Sequence, residues 1–177
     1  MIGEAKNTPP FETHNETNYT MTRETQQDFD RYFGPQAEDF NATQTRELFD
    51  WYSKYQPKFP QRKDFDIIQH WGLAPYLYLI EIQNDGTFHY RLNGEQVVEI
   101  LGHNQRGLKL GQKNDMPVNA AFASYMRKLV DQKTTARCMG DLSLLDRSYI
   151  KFESFDCPLV DKTGQISHII GVICLLK

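Results

Sequence analysis

The chain has 177 residues, of which 40% are hydrophobic and 24% charged, with a net charge of −3. That balance is ordinary for a globular domain and excludes a broad basic field for nucleic acid or an anionic membrane surface. No run approaches the roughly 18 apolar residues of a membrane span, and the first twenty residues lack the basic start and apolar stretch of a signal peptide, so the expected location is cytoplasmic. Three widely spaced cysteines, Cys138, Cys157 and Cys174, read as buried reduced thiols.

Residues 1–20 are polar, rich in Asn, Thr, Glu and Pro, and read as a disordered tail. Residues 21–60 read as an N-terminal helical cap. Phe29, Tyr32 and Phe33 stand at helical spacing and predict a short helix over 22–33, stopped by Gly34-Pro35. Leu48, Trp51, Tyr52 and Tyr55 form a second stripe, which predicts a helix over about 43–56. Pro57 and Pro60 make the next stretch an extended connector.

From residue 61 the pattern changes. "YLYLIEIQ" (76–83) and "TFHYRLNG" (87–94) are short strand-like runs joined by Asn84-Asp85-Gly86, a strong hairpin signal. "GEQVVEILG" predicts a short helix ended by Gly102, and "MPVNAAFASYMRKLVDQ" a longer one with Pro117 in its first turn. Three further strands follow within "TTARCMGDLSLL", "SYIKFESFDCPLV" and "QISHIIGVICLL". The expectation is an α+β domain: a five-stranded antiparallel sheet with the middle helices on one face. "HIIGVICLL" is apolar at nearly every position, so both faces of that strand should be covered. The N-terminal helices are the candidates for the second face, and Phe29, Phe33, Leu48, Trp51, Tyr52 and Tyr55 are the expected interface residues.

The residues Pro60, Arg62, Asp64, Phe65, Asp66, then Glu81, then Tyr90, Arg91, Leu92, Gly94, Gly102 and Gly107 occur in a telling order. Glu153, Pro158-Leu159, Gly164 and Gly171 continue it. This order resembles the PAS domain, specifically a subfamily of small stand-alone bacterial PAS proteins, over about residues 43–177. The sequence departs from the pattern in two ways: Glu81 replaces the more usual Asp, and Ser154 and Asp156 interrupt an apolar run. The resemblance implies a sensory or interaction module rather than an enzyme. Such a module holds a small ligand, or only side chains, between sheet and helices, and signals through flanking helices, often as a homodimer, to a protein partner.

"EILGHNQRGLKL" (99–110) is similar to the flavin-gripping segment of blue-light sensors, but the photoreactive cysteine position falls on Gln105 or Leu110. Thiol-adduct flavin chemistry therefore has no nucleophile at the required place. Haem through His103 or His70 is disfavoured, and no histidine or cysteine spacing suits a structural metal. The signatures of common hydrolase and nucleotide-binding sites are missing. Trp71, Tyr78, Tyr90, Phe122, Tyr125 and Met126 are candidates to line an apolar cavity, with plain core packing as the alternative. His103, Asn104 and Arg106 are candidates for a ligand's polar end, or a solvated turn. Arg91 is either an anion clamp or an ion-pair partner of Glu81 or Glu153, and strand alternation favours the ion pair.

Overall fold

The computed structural model describes residues 22–25, 29–142 and 147–176. The expected tail, residues 1–20, lies outside the described residues. Among the described residues, eight strands and three α-helices follow in chain order: β1 (Thr22–Thr25), β2 (Phe29–Phe33), α1 (Thr43–Ser53), β3 (Leu77–Ile82), β4 (Phe88–Asn93), α2 (Glu95–Leu101), β5 (Lys109–Leu110), α3 (Pro117–Gln132), β6 (Ala136–Leu142), β7 (Arg147–Val160) and β8 (Ile166–Leu175). The strands form one antiparallel sheet in the order β1-β2-β6-β7-β8-β3-β4-β5. Among the described residues no helix is long and apolar enough to cross a membrane.

The five expected strands are present as the contiguous block β6-β7-β8-β3-β4. Alternation along them separates two cores. Tyr78 and Ile80 of β3, Tyr90 of β4 and Ile169 and Ile173 of β8 pack on the inner face with α2 and α3. Leu77 and Leu79 of β3, Phe155, Cys157 and Leu159 of β7 and Ile170 and Val172 of β8 pack on the outer face. The outer face is covered by Leu48, Trp51 and Tyr52 of α1 and by Leu73. Thus β8 is buried on both sides, and α1 supplies the second cover.

The expectation for 22–33 is corrected. That segment is not a helix but the strands β1 and β2, which extend the sheet beyond β6 with Arg31 opposite Cys138 and Phe33 opposite Ala136. The spacing of Phe29, Tyr32 and Phe33 mimics one helical turn. Positions 29, 31 and 33 also carry a period of two, and Arg31 and Phe33 lie on the inner face. The edge of β6 decides between these readings, because it offers a ladder of backbone partners to a strand and none to a helix. Phe33 is therefore inner core rather than an interface residue. Leu48, Trp51 and Tyr52 are likewise consumed within the chain, whereas Tyr55 is half-buried. No side-chain placement is described for Phe29.

One buried polar cluster fastens α1 to the sheet. Glu153 of β7 is 0% exposed on the outer face. Its carboxylate accepts hydrogen bonds from Arg137 Nε (2.6 Å), Thr45 Oγ1 (2.6 Å) and the backbone N–H groups of Asn41 (3.1 Å) and Ala42 (2.8 Å). The residue preceding α1, Ala42, has no side chain to cap the helix. The Glu153 carboxylate instead fixes the backbone just before the helix, at Asn41 and Ala42, and the Thr45 hydroxyl in its first turn, near the positive end of the helix dipole, which favours an anion.

Candidate functional site

A cavity of about 240 Å³ lies between the inner sheet face and α3. Its walls are largely aromatic and aliphatic: Tyr78, Tyr90, Phe122, Tyr125, Phe152 and Ile173. The Tyr90 and Phe122 rings stack with centroids 6.3 Å apart, and Phe122 leans on Tyr125 at 5.8 Å. Exposed Met116 and His103 also line it and mark its rim.

The floor is polar. Asp156 of β7, 1% exposed, accepts hydrogen bonds from Tyr78 Oη (2.5 Å) and Tyr125 Oη (2.7 Å). Burial pushes its carboxyl up to about 6, against the two tyrosine donors and the positive charge of Arg31, which favour the ionised form. Arg31, buried on β2, spreads its guanidinium over the Tyr125 ring at 4.0 Å from the centroid. Cys138 also lines the cavity, and burial raises its thiol to about 12, so it is held as the unreactive thiol.

Tyr78, Gly171 and Asp156 stand in one row across β3, β8 and β7. A Cβ on Gly171 would collide with the Tyr78 ring and come within 2.5 Å of its hydroxyl oxygen. Gly171 therefore leaves the space through which the Tyr78 ring reaches Asp156. Gly171→Ala is expected to displace that ring and to destabilise by about 1–3 kcal/mol, as overpacking does. Urea denaturation, with the near-ultraviolet signal of the tyrosines, checks both effects; an unchanged midpoint and spectrum would refute it.

The loop of residues 102–108 and the short strand β5 complete the wall. Gly102 ends α2 at φ +84°, and Gly107, at φ +87°, donates its N–H to Tyr90 O (2.9 Å). These two left-handed positions suit glycine and set the loop against β4. His103, Gln105, Leu108 and Leu110 thereby reach the cavity. Gln105, largely buried, lies 2.7 Å from His103 Nε2 through its amide nitrogen.

The description that matches this sequence is the PAS domain, over residues 40–174. The chain belongs to the PAS domain family. Comparison of the PAS chain with curated proteins gives no match. Among solved structures it is similar to the photo-excited blue-light photoreceptor Vivid, at 14% identity and TM-score 0.42, covering 72% of this chain and 94% of that one. It is similar also to the dark structure of the blue-light photoreceptor Aureochrome1 LOV, at 12% identity and TM-score 0.42, covering 64% and 84%. The β1–β2 hairpin lies outside the residues matched to the PAS domain.

Of the residues expected at a ligand site, the PAS cavity brings together Tyr78, Tyr90, His103, Phe122 and Tyr125. It leaves out five. Trp71 is 79% exposed on a 3₁₀ turn (Trp71–Tyr76), and Met126 is fully buried core of α3. Arg91 points out of the sheet and pairs with Glu81, as alternation favoured; although burial opposes ionisation of Glu81, that pairing holds its carboxyl below its ordinary value. Asn104 and Arg106 are exposed, and Asn104 Oδ1 accepts from the Arg106 N–H (2.9 Å) in a local turn.

The missed residues are Arg31, Gln105, Ser154 and Asp156. Ser154 and Asp156 had a signal: two polar residues at alternate positions in an apolar strand share one face, and here it is the inner one. Arg31 had none, because the segment reads as a helix.

Proposed function

We propose that this PAS domain is a sensory module, of the stand-alone bacterial type its motifs resemble. It holds a small ligand between α3 and the inner sheet face and passes occupancy through its N-terminal segment to a protein partner, acting as a cytoplasmic homodimer without catalysis. The observation that carries this reading is the cavity itself. About 240 Å³ of space remains among large aromatic side chains, over a buried carboxylate that an ordinary packed core would not retain without a purpose. The relay is supported by Arg31, since a residue of the N-terminal hairpin lines the cavity directly. A ligand that fits one packing of hairpin, α3 and sheet better than another shifts the population between them.

A second reading, a ligand-free interaction module, is favoured by a different feature. Ile68 is 80% exposed and Ile67, Trp71 and Leu92 are also exposed. Ile67 and Leu92 flank a groove lined by Leu77, Leu79, Leu159 and Ile170 on the outer sheet face.

Native mass spectrometry of the purified protein, beside its Ser154→Leu variant, separates the two. Ser154 lines the cavity and is 6% exposed, so leucine there fills the space. The sensor reading expects a small-molecule adduct on the wild type that the variant lacks. A dimer mass without adduct, identical in both proteins, would turn the assignment to the interaction module.

A further inference from the structure

The sensor reading leaves open what kind of molecule the cavity takes, and the following rests on that reading. We infer that Arg31 and Asp156 form a charge-compensated floor that selects a neutral aromatic ligand of one or two rings, bearing a hydrogen-bonding group, over charged molecules of equal size.

Size sets the first limit. A cavity of about 150 Å³ holds benzene, so about 240 Å³ admits a substituted ring or a fused pair. The aromatic walls set the second, because a flat ring packs against the Tyr90, Phe122 and Tyr125 side chains with little polar competition.

Charge sets the third. Arg31 is 5% exposed and Asp156 1% exposed, both line the cavity, and the Arg31 charge favours ionised Asp156. The other formal anion in the lining, Asp141, is already paired with Lys151 Nζ at 2.9 Å. An anionic ligand would meet Arg31 but also Asp156, and a cationic one the reverse. Either brings an uncompensated charge into a largely apolar space, which is unfavourable. A neutral amide, hydroxyl or ring N–H meets no such penalty, and Gln105 and Ser154 offer it buried hydrogen-bonding groups.

Arg31 thereby becomes a specificity-determining residue supplied from outside the PAS-matched region. The cavity is incomplete without the hairpin that carries it.

The test uses three probes of one size: benzamide, benzoate and benzylammonium. Affinities for the full chain are measured by ligand-observed NMR at pH 7.5, with wild type, Asp156→Asn and Arg31→Met. Wild type is expected to bind benzamide at least about tenfold tighter than either ion, a tenfold preference being the ordinary effect of one well-placed polar interaction. Asp156→Asn removes the carboxylate from the cavity floor while Arg31 keeps its charge, and should turn the preference toward benzoate. Arg31→Met should turn it toward benzylammonium.

If wild type binds either ion as tightly as benzamide, the charge-compensation inference is overturned while the sensor reading stands. It is overturned equally if folded variants keep the wild-type ranking. If no probe binds at millimolar concentration, the inference is overturned, while the sensor reading stands or falls on the adduct in native mass spectrometry. The wild-type ranking decides the matter alone should a variant not fold.

Discussion

Glu153→Ala is expected to lower the unfolding free energy by about 3–5 kcal/mol, the usual cost of breaking a buried ion pair by removing one partner. Two losses combine. The Arg137 guanidinium, whose Nε is 2.6 Å from the Glu153 carboxylate, would be left buried without its anion. The N–H groups of Asn41 and Ala42 and the Thr45 hydroxyl would lose their acceptor, so the start of α1 would lose its fastening to β7. Because α1 covers the outer face, the effect should spread to Leu48, Trp51 and Tyr52. Urea denaturation followed by tryptophan fluorescence measures the loss. The double variant Arg137→Met/Glu153→Leu should recover much of it, since an apolar pair leaves no unmatched charge. A loss below about 1 kcal/mol for Glu153→Ala, typical of exposed pairs, would show that the cluster does not hold the helix.

The second large effect is a pH dependence centred on Asp156. Its carboxyl lies at about 6 rather than the ordinary 3.8, because burial disfavours the charge. The folded state therefore holds this proton more tightly than the unfolded chain does. Between the two values the folded protein is protonated and the unfolded chain is not, so stability falls as pH rises through this window. The contribution is fully present below about pH 4 and is lost by about pH 7. A displacement of this size corresponds to about 3 kcal/mol. Other groups titrate in the same range, so the informative quantity is the difference between wild type and Asp156→Asn. Urea midpoints from pH 4 to 7 should show wild type gaining on the variant as the pH is lowered. Parallel curves, or a gain in the opposite direction, would contradict this account.

Both predictions sit on β7, where one strand serves two faces. Glu153 turns outward to hold the helical cover, while Ser154 and Asp156 turn inward to floor the cavity. The run "FESFDCPL" carries this arrangement openly as alternation, with Phe155, Cys157 and Leu159 on the outer face. The departure of Ser154 and Asp156 from the usual apolar run is therefore the visible trace of a polar site. Its chemistry stayed hidden because the partners come from β3, α3 and β2, and no spacing along the chain relates Tyr78, Tyr125 and Arg31 to Asp156.

Local pattern by itself determined the five-strand block, the three helices and the glycine-shaped loop. Their signals are short-range: alternation, helical spacing, a hairpin turn and left-handed glycines. It determined as well that β8 would need cover on both faces, since a strand apolar on both sides must be shielded from water twice. Only the tertiary structure decided that residues 22–33 pair with β6 rather than coil. A segment of so few residues satisfies either period, and the sheet edge it meets settles the choice. Only it decided, too, which aromatic residues line the cavity. Met126 and Phe122 lie on the same helix and look alike in the sequence, but one fills the core and the other faces the space. Which side chain fills and which lines depends on the shape of the surface opposite, and that shape exists only once the sheet has formed.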